Sequence, residues 1–142
     1  MVGAAAGEIG LSLCKWALNN GAKHLVITSR NPSFGPIFLS GAERLSASVR
    51  VLPIDVTSRE FVEGVVRQIR ASIPPVFGVA QRAIVLQDRL LLDMSSDELN
   101  GTLAAKLEGT EILISVFSQF ESSSAQQGYK LDFFVILSSS AY

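Results

Sequence analysis

The chain has 142 residues, which suits one domain with a real core, and its 48% apolar and 18% charged residues are ordinary for a globular protein. Its 12 basic and 13 acidic residues give a net charge of −1 without any basic block, so nucleic acid and anionic membrane are poor partners. No apolar run approaches the ~20 residues that span a bilayer, and no signal peptide is expected. The single cysteine, Cys14, fits a reducing cytosol, so we expect a cytoplasmic protein.

The first half of the chain alternates helical and strand-like patterns. Gly21 is a fitting helix stop, and the run HLVIT is rich in β-branched residues. The predicted elements are a helix over Gly7–Asn20, a strand over His24–Thr28, a short helix over Pro36–Ser46 and a strand over Ser48–Ile54.

The second half continues the alternation. Two prolines, Pro74 and Pro75, end one helix, and Ser95 with Glu98 has the spacing of a capping box. The predicted elements are a helix over Ser58–Ser72, a strand over Val76–Ala80 or on to Val85, a long helix over Ser95–Phe120, a polar loop over Glu121–Lys130 and a strand over Leu131–Leu137. This order predicts one α/β domain over residues 1–142, with a parallel sheet and helices on both faces.

A glycine-rich segment, GAAAGEIG, precedes the first helix and contributes Gly3, Gly7 and Gly10. Glycines at such a position let the backbone approach a pyrophosphate, and the amino end of the helix favours the anion. The alternative is a helix start built from small residues, because a loose glycine pattern is weak evidence.

The first predicted strand ends in Thr28, Ser29 and Arg30, without the acidic residue that holds the ribose 2′-hydroxyl in NAD-binding units. Arg30 carries a fixed positive charge and a fork of donors that suits a phosphate. The pattern favours NADPH as the cofactor. The alternative is a solvated surface arginine.

Three further groups of polar residues are candidates for chemistry. Asp55 and Val56 follow the second strand, where the aspartate accepts a hydrogen bond from an adenine or caps the next helix. Lys106 lies among apolar residues of the long helix and points into a site or into solvent. The serines at 138–140 follow the last strand, where they hold a carbonyl oxygen or form a polar turn. No metal site is predicted.

Taken together, five segments of the chain resemble one family: GLSLCKWALNNGAKHLVITSRNP, VRVLPIDVTSRE, PPVFGVAQRAIVLQDRLLLDM, KLEGT and LDFFVILSSSA. They look like the ketoreductase (KR) of fungal-type, highly reducing, type I polyketide synthases, which are multifunctional enzymes of secondary metabolite biosynthesis. These ketoreductases are oxidoreductases of the short-chain dehydrogenase/reductase superfamily. The resemblance implies a Rossmann-like, doubly wound parallel sheet.

The resemblance also implies roles for particular residues. The pyrophosphate of NADPH would lie on Gly3, Gly7 and Gly10, its 2′-phosphate on Ser29 and Arg30, and its adenine beside Asp55 and Val56. The family's catalytic serine maps to Ser139, and its lysine maps to Lys106. The implied reaction is the reduction of a β-ketoacyl chain on an acyl carrier protein to the β-hydroxyacyl form.

The sequence departs from the family at four places. The family's proton-donating tyrosine should follow Ser139 by roughly a dozen residues, with an asparagine soon after, and Tyr142 is too close to be that tyrosine. The family's first strand, central in its 3-2-1-4-5 order, is nearly absent, because only Met1 and Val2 precede Gly3. The glycine loop looks one residue longer than in the family, or its first glycine has become Ala4, which weakens the expected grip on the pyrophosphate. Finally, Gln81 and Arg82 replace the smaller residues usual after GVA in the family, near the nicotinamide side.

We therefore expect a partial ketoreductase domain, incomplete in its sheet and lacking the helix that carries the tyrosine, which works as a segment of a larger synthase and is inactive alone. Its expected partners are neighbouring synthase domains and the carrier-bound substrate. The alternative is a non-catalytic, structural reductase-like subdomain or a decayed fragment.

Overall fold

A computed structural model describes residues 1–3, 8–85, 90–123 and 130–137. Its elements alternate as predicted, which confirms the α/β class. They are α1 (Glu8–Asn19), β1 (His24–Ser29), α2 (Pro36–Arg44), β2 (Ser48–Pro53), α3 (Arg59–Arg70), β3 (Gly78–Gln81), a 3-10 turn (Leu91–Asp93), α4 (Ser96–Ala104), α5 (Glu108–Ser123) and β4 (Phe133–Ile136). The described part of the chain contains no helix with the length and apolarity that crossing a bilayer requires.

The strands form two parallel pairs that the first residues of the chain join. In one pair β1 lies beside β2, and in the other β3 lies beside β4. Val2 forms parallel bridges with Thr28 at the end of β1 and with Gln81 at the end of β3. The spatial order is therefore β2, β1, Val2, β3, β4, which is the predicted order with Val2 at its centre.

Backbone hydrogen bonds hold this central segment on both sides. Toward β1, the Thr28 amide donates to the Met1 carbonyl at 2.9 Å, and the Gly3 amide donates to the Thr28 carbonyl at 2.7 Å. Toward β3, the Val2 amide donates to the Ala80 carbonyl at 2.8 Å, and the Arg82 amide donates to the Val2 carbonyl at 2.9 Å. As predicted, Met1 and Val2 stand where the central strand belongs.

Apolar side chains cover both faces of the sheet. On one face α3 and α5 pack over the strands, and α3 turns four apolar residues spaced three or four apart inward. That core contains Val2, Ile54, Val56, Val62, Val65, Val66, Ile69, Val79, Ala105, Leu113 and Val116. On the other face α1 and α2 build a smaller core from Cys14, Leu18, Ile27, Phe38, Ala42 and Ala47. Two cores on opposite faces make the sheet doubly wound.

The prediction of one long helix over Ser95–Phe120 was wrong. A turn at residues 105–107 separates α4 from α5, and α5 continues to Ser123, beyond the predicted start of the polar loop. The break lets the start of α5 approach the sheet, where a Cβ added at Gly109 would lie only 2.6 Å from Cγ2 of Val56. Tertiary packing therefore overrides the helical periodicity.

The third strand is also shorter than predicted. It spans Gly78–Gln81, because its pairing with β4 runs only from the Gly78–Phe133 pair to the Gln81–Ile136 pair. Residues 82–85 leave the sheet and run along the cavity described next.

Candidate cofactor site

The carboxyl ends of β1, β2 and β3 meet at one cavity of about 590 Å³. This is the edge of a parallel sheet where ligands of doubly wound folds bind. Its lining includes five of the residues predicted to bind the cofactor: Gly3, Ser29, Arg30, Asp55 and Val56. The remainder of the lining is Asn31, Ile54, Thr57, Arg82, Ala83, Ile84, Val85, Gly101, Ala104 and Ala105.

Gly3 lies at the floor of the cavity in a conformation that only glycine adopts readily. Its φ is +73°, and an added Cβ would lie 2.5 Å from the Cα of Ala83. The carbonyl of Gly3 accepts a hydrogen bond from Nη1 of Arg82 at 3.2 Å. Of the other predicted glycines, Gly10 is buried within α1 and does not line the cavity, while Gly7 lies outside the described residues.

Ser29 and Arg30 close the β1 side of the cavity. Ser29 is the last residue of β1, and its carbonyl accepts a hydrogen bond from the Ile54 amide at 2.9 Å, which fixes the end of the strand. Arg30 follows with an exposed side chain. A guanidinium at this place presents a fork of donors to any anion in the cavity.

Asp55 stands opposite on the β2 side, held by Thr57. One oxygen of its carboxylate, Oδ1, accepts from the Thr57 amide at 3.0 Å and from the Thr57 hydroxyl at 2.7 Å. These hydrogen bonds, with a smaller contribution from the charge of Arg30, lower the pKa of Asp55, so it is ionised at neutral pH. Asp55 does not cap α3, because Ser58 is the capping residue.

Val56 supports this side of the cavity from below. Its side chain is buried in the larger core, and the first turn of α5 packs against it at Gly109. The backbone that carries Asp55 is therefore anchored between the sheet and α5.

Lys106 lies in the turn between α4 and α5, partly buried, and not on a helix as predicted. Its ammonium donates a hydrogen bond to the carbonyl of Leu137, just beyond β4. Burial, and then the charge of Arg82, lower the pKa of Lys106. The structure thus brings Lys106 to the end of the strand that precedes Ser139, which itself lies outside the described residues.

Two residues at the end of β3 contribute more to the site than the sequence indicated. Gln81 is fully buried, and its side-chain amide donates to the carbonyl of Ala105 at 3.0 Å while accepting from the Ala83 amide at 2.8 Å. It therefore ties β3 to the turn that carries Lys106. Its neighbour Arg82 reaches Gly3 as described above. The only signal in the sequence for these contacts was that two polar residues, Gln81 and Arg82, follow the apolar residues of β3.

A parallel doubly wound sheet, with its cavity at the carboxyl edge and a glycine at the floor, defines a Rossmann-like α/β domain of the dinucleotide-binding class. Within the described residues, no three His, Cys, Asp or Glu side chains are placed to hold a metal ion.

Comparison with known proteins gives the family. The family model described as the KR domain matches residues 1–142. The chain is 49% identical over 141 residues to the tenellin synthetase of Beauveria bassiana, and 50% identical over 141 residues to the hybrid PKS-NRPS synthetase iliA of Neonectria sp. (strain DH2). The chain therefore belongs to the KR domain family, the ketoreductases of polyketide synthases.

The two alignments cover 99% of this chain but only 3% of each synthetase. Among solved structures, an N-terminal ketoreductase from the macrolactin assembly line superposes with a TM-score of 0.80 at 23% identity, covering 97% of this chain and 27% of that chain. This likeness confirms the fold, which is that of short-chain dehydrogenases/reductases.

Proposed function

We propose that this chain is the NADPH-binding part of a β-ketoacyl reductase, acting on a chain carried by an acyl carrier protein within a larger polyketide synthase. The observation that carries the proposal is the position of Arg30. It follows β1 at the place where NAD-binding units have an acid, and it lines the same cavity as Gly3 and Asp55.

The residues around the cavity suit this cofactor. Arg30, with Ser29 beside it, offers donors and positive charge to a 2′-phosphate. Asp55 remains ionised and accepts a hydrogen bond from the adenine amino group, while Gly3 lines the same cavity where the pyrophosphate would lie. When bound, NADPH supplies the hydride that reduces the β-keto carbon.

The chain's own residues act on the carbonyl oxygen of the substrate. The hydroxyl of Ser139 donates a hydrogen bond to that oxygen, and the positive charge of Lys106 lowers the pKa of the tyrosine that gives the proton. A polypeptide of these 142 residues has no tyrosine a dozen positions after Ser139. We therefore expect it to bind NADPH without steady turnover of a β-ketoacyl thioester.

Isothermal titration calorimetry tests the proposal with the 142-residue chain. We expect NADPH to bind more tightly than NADH, and Arg30→Ala to weaken NADPH binding by about 10- to 100-fold, the value of a charge-assisted hydrogen bond. Arg44→Ala is the matched control, because Arg44 lies in the last turn of α2, outside the lining of this cavity. Equal affinity for NADPH and NADH in the unmodified chain would contradict the proposal.

The second candidate is a non-catalytic structural segment, and the contacts of Lys106 favour it. Its ammonium braces the end of β4, and Gln81 braces the same turn from β3. A chain that melts cooperatively yet binds neither dinucleotide would favour this candidate over the reductase.

A further inference from the structure

We propose that Arg82 is a second anion-binding residue of the cavity and holds the pyrophosphate of the dinucleotide. This inference rests on the proposed function. It adds a binding residue from β3 to the glycine segment and to Arg30, and it explains why an arginine stands where the family has a smaller residue.

The position of Arg82 is fixed at both its backbone and its side chain. Its amide donates to the Val2 carbonyl at 2.9 Å, and Nη1 donates to the Gly3 carbonyl at 3.2 Å. The guanidinium therefore lies beside Gly3, the described glycine expected to meet the pyrophosphate. The side chain is partly buried, so its charge is screened less than that of a fully exposed arginine.

Arg82 and Arg30 line the same cavity from different strands. Arg30 follows β1, whereas Arg82 follows β3, and the segment with Gly3 lies between these two strands. Two cations on separate strand ends suit a ligand with two separate anionic groups. NADPH has such a pair, a 2′-phosphate on its adenosine ribose and a pyrophosphate further along.

The charge of Arg82 also reaches the catalytic side of the site, because it contributes to lowering the pKa of Lys106. An anion bound at Arg82 would offset part of that repulsion. The planar fork of a guanidinium pairs well with phosphate oxygens.

The test is calorimetric titration of the 142-residue chain with NADPH, NADH and adenosine 2′-monophosphate. The last probe keeps the 2′-phosphate but has no pyrophosphate. We expect Arg82→Gln to weaken NADPH and NADH by a similar factor of about ten or more, and to leave adenosine 2′-monophosphate within about twofold. Arg30→Ala should instead weaken the binding of NADPH and adenosine 2′-monophosphate, the two probes that carry a 2′-phosphate.

Arg82→Lys serves as the second variant. Because it keeps the positive charge, we expect it to retain most of the affinity for NADH. Melting temperatures of all variants report whether the fold is intact. Unchanged NADH affinity in Arg82→Gln, or tighter binding because a blocking side chain has gone, would overturn this inference alone. If the unmodified chain binds no dinucleotide while remaining folded, the proposed function fails and this inference fails with it.

Discussion

In a polypeptide of these 142 residues, the amino group of Met1 gives a pH-dependent stability that can be worked out from its surroundings. The group donates a hydrogen bond to the Val26 carbonyl at 2.8 Å, inside the sheet. Burial lowers its pKa from 8.0 to about 6. The nearby thiol of Cys14 stays neutral over this range, because burial raises its own pKa above 9.0.

The sign follows from which state binds the proton. Between pH 6 and pH 8 the unfolded chain holds the proton on Met1 and the folded chain loses it, so the free energy of unfolding rises with pH. A pKa difference of two between the unfolded and folded states contributes at most about 2.7 kcal/mol to the free energy of unfolding. About 2 kcal/mol of this develops between pH 6 and pH 8.

Urea unfolding followed by circular dichroism measures the effect. With a urea dependence of about 2 kcal/mol per molar, the midpoint should rise by about 1 M between pH 6 and pH 8. The control is the same chain acetylated at Met1, which keeps an N–H donor for Val26 but carries no charge. Other groups titrate alike in both samples and cancel. Parallel pH profiles for the two chains would refute the reasoning.

Two further predictions concern packing and the carboxylate of the site. Gly109→Ala should destabilise the chain by about 1–3 kcal/mol because its methyl meets Val56, whereas Gly64→Ala, with open space around it, should stabilise α3 by about 0.5–1 kcal/mol. The midpoints of urea unfolding measure both stability changes. Changes of the same sign in the two variants would contradict the close packing of Gly109 against Val56. Thr57→Val should raise the pKa of Asp55, since it removes the hydroxyl donor, and Thr57→Ser should not. Carbon NMR titration of the carboxyl group measures this, and an unchanged pKa would show that Thr57 is not the cause.

The strands were predictable because their signals are local. The run over β1 is β-branched and apolar, and parallel strands must turn their carboxyl ends to one edge. That rule alone places Arg30 and Asp55 near each other, as the cavity shows. The sequence therefore predicted from topology that these two residues lie at the same edge of the sheet, before any side-chain contact was known.

The break in the long helix could not be predicted in the same way. Residues Ala105, Lys106 and Leu107 are all good helix formers, so propensity favours continuing the helix through them. The turn depends instead on α5 packing against Val56, which comes from a distant part of the chain. Lys106, whose role in the site remains a prediction, lies in this turn and not on a helix as the sequence predicted.

The contact that Arg82 makes could not be predicted from the sequence for the same reason. Its partner Gly3 lies 79 positions away in the sequence, and the two meet only because Val2 inserts between β1 and β3. No local pattern reports such a contact. Ser139 and Gly7 remain predictions, since both lie outside the described residues.

Gly3 links the stability of the sheet to the geometry of the cavity. Its amide belongs to the central segment, while its carbonyl holds Arg82. On the opposite side of that segment, Met1 borders an apolar cavity of about 500 Å³, where its amino group is costly to charge. The central segment therefore carries both the backbone pairing that buries the amine of Met1 and the carbonyl that orients Arg82.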